Sequence, residues 1–374
     1  MKGSLTLFKI KDIEIQLHIS WTIIFVLISF SMSTGYLPMN YPEAQPYIYW
    51  LFGGGIALLI LISILLHELS HSLVSKKLGV DVKTITLFIF GGIAQMDNEP
   101  DSPTKEFKIA IAGPLMSIFL FIFFLALSYL VGLFSSSKIL IGAIAYISTI
   151  NLILALFNLV PAFPMDGGRV LRSIIWKVKG DLTFATKIAS SMGDMFAYFL
   201  IFLGLYWAFT GNIVNGIWFV FIGWFIKNLS ESSYQNMLMS DMFNKIHIRE
   251  FMTKDVVSIE RSTSVQRVIE EYFYKYKYSS FPVVQGKEVI GIINIEKLKD
   301  VERDRRSQTP VGEIAYPIQD KYRVDPKCSV KSAMDKIFSN DLGRVLVIED
   351  GNLLGIISRT DILNYIRVYG KLHE

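Results

Sequence analysis

The chain has 374 residues, 52% of them hydrophobic and only 19% charged, with a mean hydropathy of +0.41. This composition excludes a single soluble globular domain and predicts a multi-pass membrane protein with a soluble part. A formal net charge of +4 gives no reason to expect a nucleic-acid partner, and one cysteine, Cys328, excludes an internal disulfide framework.

In chain order, Lys2 to His18 is mixed polar and carries no cleavable signal pattern. Six apolar spans follow, at about Ile19–Tyr36, Tyr49–Leu78, Phe107–Phe134, Ile139–Val160, Thr183–Thr210 and Asn212–Asn228. Lys2, Lys9 and Lys11 precede the first span, and Lys76 and Lys77 follow the second. Arg169, Arg172, Lys177 and Lys179 lie between the fourth and fifth, and Lys227 closes the sixth. The alternate connections hold one basic residue in all, which predicts both termini on the cytoplasmic side of a cell membrane.

The second span contains His67-Glu68-Leu69-Ser70-His71. Residues four apart on a helix differ by about 40° in direction, so the two imidazoles share a face. Two neutral imidazoles one turn apart can hold one divalent metal, with Glu68 beside them to take a proton from an activated water. This is the H-E-x-x-H arrangement of zinc peptidases. A polar packing cluster is the plainer alternative. Against it, two of the chain's five histidines fall in this pattern at membrane depth, where unused polar groups are costly.

Val82–Pro100 is too short to span as a helix and is rich in Ile, Thr and Phe around Gly91-Gly92, which predicts a strand or hairpin. Such a segment serves either as a free edge for an extended peptide or as a re-entrant structural loop. The third span opens with Ala110-Ile111-Ala112-Gly113-Pro114, a small-residue stretch suited to close helix packing. In the fourth span Ser148, Asn151, Ala155 and Asn158 form a small polar stripe that should face the bundle interior. Pro161 and Pro164 then stop the helix, and Asp166-Gly167-Gly168 follows, predicting sharp backbone turns around a free carboxylate. A catalytic zinc keeps three protein ligands and one open position. His18, His247 and His373 lie outside the spans, which favours a carboxylate as third ligand; Asp166 is the best placed, and Asp194 in the fifth span competes.

Taken together, His67–His71, Phe90-Gly91-Gly92-Ile93-Ala94 and Asn158-Leu159-Val160-Pro161-Ala162-Phe163-Pro164-Met165-Asp166-Gly167-Gly168-Arg169 resemble the site-2 protease family of intramembrane zinc metalloproteases. The resemblance covers roughly residues 1–230. It implies one zinc held by His67, His71 and Asp166, Glu68 as base and Asn158 as a substrate-positioning or oxyanion-supporting group. It also implies a substrate-pairing strand at Gly91, Gly92, Ile93 and Ala94. The implied reaction is hydrolysis of a peptide bond within or near a transmembrane segment of a membrane-anchored protein, in the lipid bilayer.

The composition changes after Asn228. Residues 229–245 read as a linker or short amphipathic helix between a membrane domain, 1–228, and a soluble α/β part. That part repeats: Phe281–Leu298 parallels Arg344–Leu363, with Gly291 and Gly355 offset by 355 − 291 = 64 residues. The two units, 246–303 and 304–374, resemble a tandem pair of cystathionine-β-synthase-type (CBS) domains. The resemblance implies clefts for ATP or AMP and self-association into a homodimer. The second unit has the family's Ser/Thr-x-x-Asp as Ser358-Arg359-Thr360-Asp361. The first has Asn294-Ile295-Glu296-Lys297, without the Asp, so at most one well-formed nucleotide site is expected. The predicted fold class is thus a polytopic α-helical membrane domain of about six transmembrane helices with a membrane-associated β-hairpin, followed by a soluble α/β CBS pair. The main functional alternative is a CBS-regulated ion transporter with the His/Asp cluster as an ion site; a pseudo-protease that binds helices without cutting them is a third.

Overall fold

The computed structural model describes residues 4–89, 91–96 and 100–373, which divide into two units, Met1–Met237 and Leu238–Glu374. Among the described residues six helices are long and apolar enough to cross a membrane: α1 (Ser20–Asn40), α2 (Pro46–Lys77), α3 (Pro103–Phe134), α4 (Lys138–Asn158), α6 (Leu182–Phe209) and α7 (Ile213–Lys245). A shorter helix, α5 (Asp166–Lys179), lies between α4 and α6 in the chain. The starts and stops follow local chemistry. Pro46 opens α2, and Lys76 and Lys77 close it at the negative end of its dipole. Gly180, at φ 72°, ends α5, and the Asp181 carboxylate accepts from the Phe184 amide to cap α6.

The first unit also holds a four-stranded sheet, in the order β1 (Ser4–Ile10), β2 (Ile13–His18), β3 (Val82–Phe88), β4 (Gly91–Met96). The β3–β4 hairpin is the one expected from Val82–Pro100; Phe90 lies outside the described residues. The β1–β2 hairpin was not foreseen, because its apolar and polar residues are nearly equal in number and no glycine marks its turn. Its signal is period-two alternation of Ile13, Ile15 and Leu17 with Glu14 and Gln16. Its turn, Lys11-Asp12, has both φ values positive, 47° and 65°, as a two-residue type I′ hairpin needs. β2 pairs parallel with β3, Ile15 opposite Ile85. Ile13, Ile15 and Ile85 are fully buried and pack with Leu69 of α2, which lays the sheet on the helix that carries the histidines.

The stretch 229–245 is the C-terminal half of α7. No glycine or proline occurs between Gly223 and Lys245, so nothing breaks the helix.

The second unit is built from two similar hairpins, β5–β6 (Ser280–Gln285 and Glu288–Asn294) and β7–β8 (Arg344–Glu349 and Asn352–Ser358), which meet where Asn352 pairs Glu288. Each hairpin has a bulge, at Val283/Val284 and Val347/Ile348, again offset by 347 − 283 = 64 residues. The sequence repeat is therefore a structural one. Helices α8 (Ile295–Lys299) and α10 (Arg359–His373) follow the second strand of each hairpin, and α9 (Val330–Ser339) precedes β7.

Candidate active site

His67 and His71 lie one turn apart on α2, each 4% exposed, with ring centroids 4.9 Å apart. Their Nε2 atoms are 3.3 Å from each other, and Asp166 Oδ2 lies 3.1 Å from the first and 3.0 Å from the second. These three are the group among the described residues whose ligand atoms could hold a metal ion. Asp194, the competing carboxylate, is not in it.

The other ring nitrogens point away from the cluster and are engaged. His71 Nδ1 is 2.7 Å from the Ile109 carbonyl oxygen, which can only accept, so Nδ1 carries the hydrogen and Nε2 of the neutral ring offers a lone pair. His67 Nδ1 is 2.9 Å from Ser117 Oγ. The His71 Nε2 lone pair and the Asp166 carboxylate oxygen thus face each other as acceptors, an arrangement that a cation between them satisfies. Zinc bonds of about 2.0–2.1 Å in tetrahedral geometry place ligand atoms about 3.3 Å apart, close to the spacing observed. The donor set of two imidazoles and one carboxylate fits zinc with a position left open.

α3 orients the pair. Ile109, Gly113 and Ser117 recur at helical spacing on one face, and all three meet the imidazoles. A Cβ on Gly113 would lie 2.1 Å from His71 Nε2 and 2.6 Å from His67 Nε2. The stretch expected to serve close packing does so, and what it packs against is the metal cluster. Sequence reasoning missed Ser117 and the Ile109 carbonyl; the signal available was their spacing of four about Gly113.

Asp166 is the first residue of α5, where the positive end of the helix dipole favours a carboxylate. Gly167 and Gly168 do not make turns. They are helical, and a Cβ would lie 2.3 Å from the Val160 carbonyl oxygen in one case and 2.5 Å from Ala162 in the other. Their role is close approach of the first turn of α5 to the preceding loop.

Glu68 is half-buried and faces the sheet. A Cβ on Gly92 would lie 2.4 Å from Glu68 Cγ, so β4, an outer strand of the sheet, runs directly against this side chain. Within β4, Gly91, Gly92, Ile93 and Ala94 pair with Phe88, Leu87, Thr86 and Ile85. Asn158 ends α4, and its amide donates to the Leu154 carbonyl at 3.0 Å; its described hydrogen bond does not reach the cluster.

In the second unit Asp361 accepts from the Ser358 hydroxyl at 2.7 Å and the Ser358 amide at 2.8 Å, in the first turn of α10. Arg359 donates to the Ile337 carbonyl at 3.3 Å and stands over the Phe338 ring, and Thr360 is exposed beside them. A cavity of about 260 Å³ lies at the counterpart stretch of the first CBS repeat, lined by Ser279, Ser280, Asn294, Ile295, Glu296, Asp341 and Leu342. Two carboxylates in that lining give it an acidic character.

A family model for peptidase family M50 matches residues 55–139 and 134–203, and one for the CBS domain matches 248–303 and 311–368. The chain is 32% identical over 371 residues to the zinc metalloprotease Rip3 of Mycobacterium tuberculosis, covering 99% of this chain and 94% of that protein. It is 33% identical over 371 residues to the zinc metalloprotease MJ0392 of Methanocaldococcus jannaschii, covering 98% and 97%. Among solved structures, the site-2 protease from Methanocaldococcus jannaschii matches at 35% identity and a TM-score of 0.43, over 62% of this chain and 95% of that one. The ion-transporter alternative falls away with the two metalloprotease relatives, Rip3 and MJ0392, whose similarity runs through both units. The chain belongs to peptidase family M50, the site-2 proteases: it is a multi-pass intramembrane zinc metalloprotease with a tandem CBS pair.

Proposed function

We propose that the enzyme hydrolyses a peptide bond within or beside a transmembrane segment of a membrane-anchored protein, with His67, His71 and Asp166 as zinc ligands and Glu68 as base. The observation that carries this reading is the convergence of the three ligand atoms within 3.3 Å of one another, with both Nδ1 atoms engaged elsewhere. Zinc, when bound, polarises the scissile carbonyl and lowers the pKa of water at the site toward about 7. Glu68 takes a proton from the attacking water as its oxygen bonds to the carbonyl carbon. It returns that proton to the departing amine as the C–N bond breaks.

A helical substrate hides its carbonyls in its own hydrogen bonds and must be opened first. The outer strand at Gly91, Gly92, Ile93 and Ala94 offers backbone groups to hold the opened segment extended. Gly92, lacking a side chain, lets that strand lie against Glu68, which supports a scissile bond held beside the base. Asn158 keeps a second amide hydrogen beyond its bond to Leu154, available to a substrate carbonyl.

The CBS pair is proposed to bind an adenine nucleotide at Ser358, Arg359, Thr360 and Asp361 and so to regulate cleavage. The hydroxyl–carboxylate pairing of Ser358 with Asp361 is the kind that ribose hydroxyls join, and Arg359 supplies a phosphate partner. Regulation further requires that nucleotide bind two arrangements of the protein unequally.

Four outcomes are expected. Glu68→Gln keeps one zinc per chain, measured by elemental analysis of detergent-purified protein, and abolishes cleavage of a single-span substrate; turnover in that variant removes Glu68 from the base role. Two glycine substitutions should separate the functions of their neighbours. Gly113→Ala loses zinc, while Gly92→Ala keeps zinc and slows cleavage by about 100-fold, the scale expected for a roughly 1 Å misplacement at a reacting centre. Calorimetric titration of ATP and AMP onto the full chain gives heat that Asp361→Ala removes; no heat with the wild type counts against the nucleotide site. Lastly, the positive charge beside the spans supports cytoplasmic termini. A cysteine at Lys327 in a Cys328→Ser background should react with an impermeant thiol reagent in inverted vesicles and stay unlabelled in intact cells.

A further inference from the structure

α3 and α5 are joined by a buried ion pair that the reaction does not use. Glu106 is 1% exposed and is the one carboxylate in α3. Arg172 of α5 donates from Nε to Glu106 Oε1 at 2.6 Å, and its Nη2 reaches the same oxygen. The Arg172 side chain is 13% exposed, and its guanidinium stands 5.2 Å from the centre of the Phe163 ring. Each partner is close in sequence to the metal cluster. Glu106 precedes Ile109, whose carbonyl holds His71, by less than one helical turn. Arg172 follows Asp166 by six residues on the same short helix, about 9 Å along its axis.

We propose that Glu106–Arg172 is a positioning pair: it fixes α5 against α3 so that Asp166 meets the two imidazoles that α3 orients. This rests on the proposed ligand set. Stability alone is a weak reason to bury such a pair. Desolvation of two charges offsets most of their attraction, and apolar replacements of similar volume are often as stable. What the pair supplies is direction. The planar guanidinium donates from Nε and Nη2 to one carboxylate oxygen, which few orientations allow, and its contact with Phe163 restricts it further. Asp166 comes from a 14-residue helix preceded by the loop 159–165, so its distance from α2 depends on how that helix is anchored. His67 and His71 need no such anchor, because they share one helix with each other. The third ligand is the one whose placement is a tertiary matter, and the pair stands where α3 can impose it.

The test is zinc affinity, measured by chelator competition on the detergent-purified full chain, together with the melting temperature of the zinc-free protein. Glu106→Gln and Arg172→Gln should each weaken zinc binding by about 10- to 100-fold, the range for loss of an outer-shell partner. The double variant should lose no more than the worse single, since both remove one link. Arg172→Lys keeps the charge without the fork and should restore part of the affinity. Asp166→Asn is the reference for loss of a ligand. A purely structural pair would instead lower the melting temperature and leave the affinity of the folded protein unchanged. That result, with Asp166→Asn still losing zinc, overturns the positioning role and leaves the ligand set standing. If Asp166→Asn binds zinc as the wild type does, the ligand set itself is wrong and the positioning role goes with it.

Discussion

Two imidazole nitrogens and a carboxylate oxygen converge to about 3 Å from one another in an apolar bundle, where polar groups are costly unless held to a purpose. Much of the membrane unit can be understood as the means of holding them there. The Ile109 carbonyl fixes the protonation of His71, Ser117 engages His67, and Gly113 leaves the space into which both rings point. The dipole of α5 favours the carboxylate that completes the set, and two helical glycines let that helix approach its own leading loop. None of these groups is a ligand atom, yet each constrains where the ligand atoms sit.

The sheet answers a different constraint. Backbone that is neither helical nor paired has no place in hydrocarbon, so strands near a membrane must be covered on their faces and paired along their edges. Ile13, Ile15 and Ile85 cover one face by packing on α2 through Leu69, and β1, β2 and β3 pair successively. Only the outermost strands have an edge left over, and the one at the site is β4, which runs against Glu68 through a glycine.

Much of this was legible in the sequence, because membrane spans and metal motifs are local patterns. The six spans follow from runs of apolar residues, and the H-E-x-x-H pairing follows from helical geometry alone. The 64-residue repeat was visible in aligned apolar strands and returns as matched bulges. What escaped the sequence was tertiary. The β1–β2 hairpin is short and of mixed polarity, and joins a larger sheet by pairing with β3 some seventy residues later, Ile15 against Ile85. Gly113 looks like any small residue in a packed helix until the two rings are set against it. Gly167 and Gly168 suggested turns because an Asp-Gly-Gly string usually makes them; close approach to Val160 and Ala162 imposes the same residue type within a helix. The 229–245 stretch looked like a linker because its polarity rises, but polarity does not break a helix that lacks glycine and proline.

The parallel pairing of β2 with β3 carries a consequence for biogenesis. Parallel neighbours need a crossover, and here the crossover consists of α1 and α2, two membrane spans inserted one after the other. The strands therefore meet on one side of the bilayer, and two spans between them are the number that returns the chain to the side it left. If one of them fails to insert, β2 and β3 are stranded on opposite sides of the bilayer and the sheet cannot close. The strand that runs against Glu68 thus belongs to a sheet whose first and second halves are separated in the chain by an even number of spans.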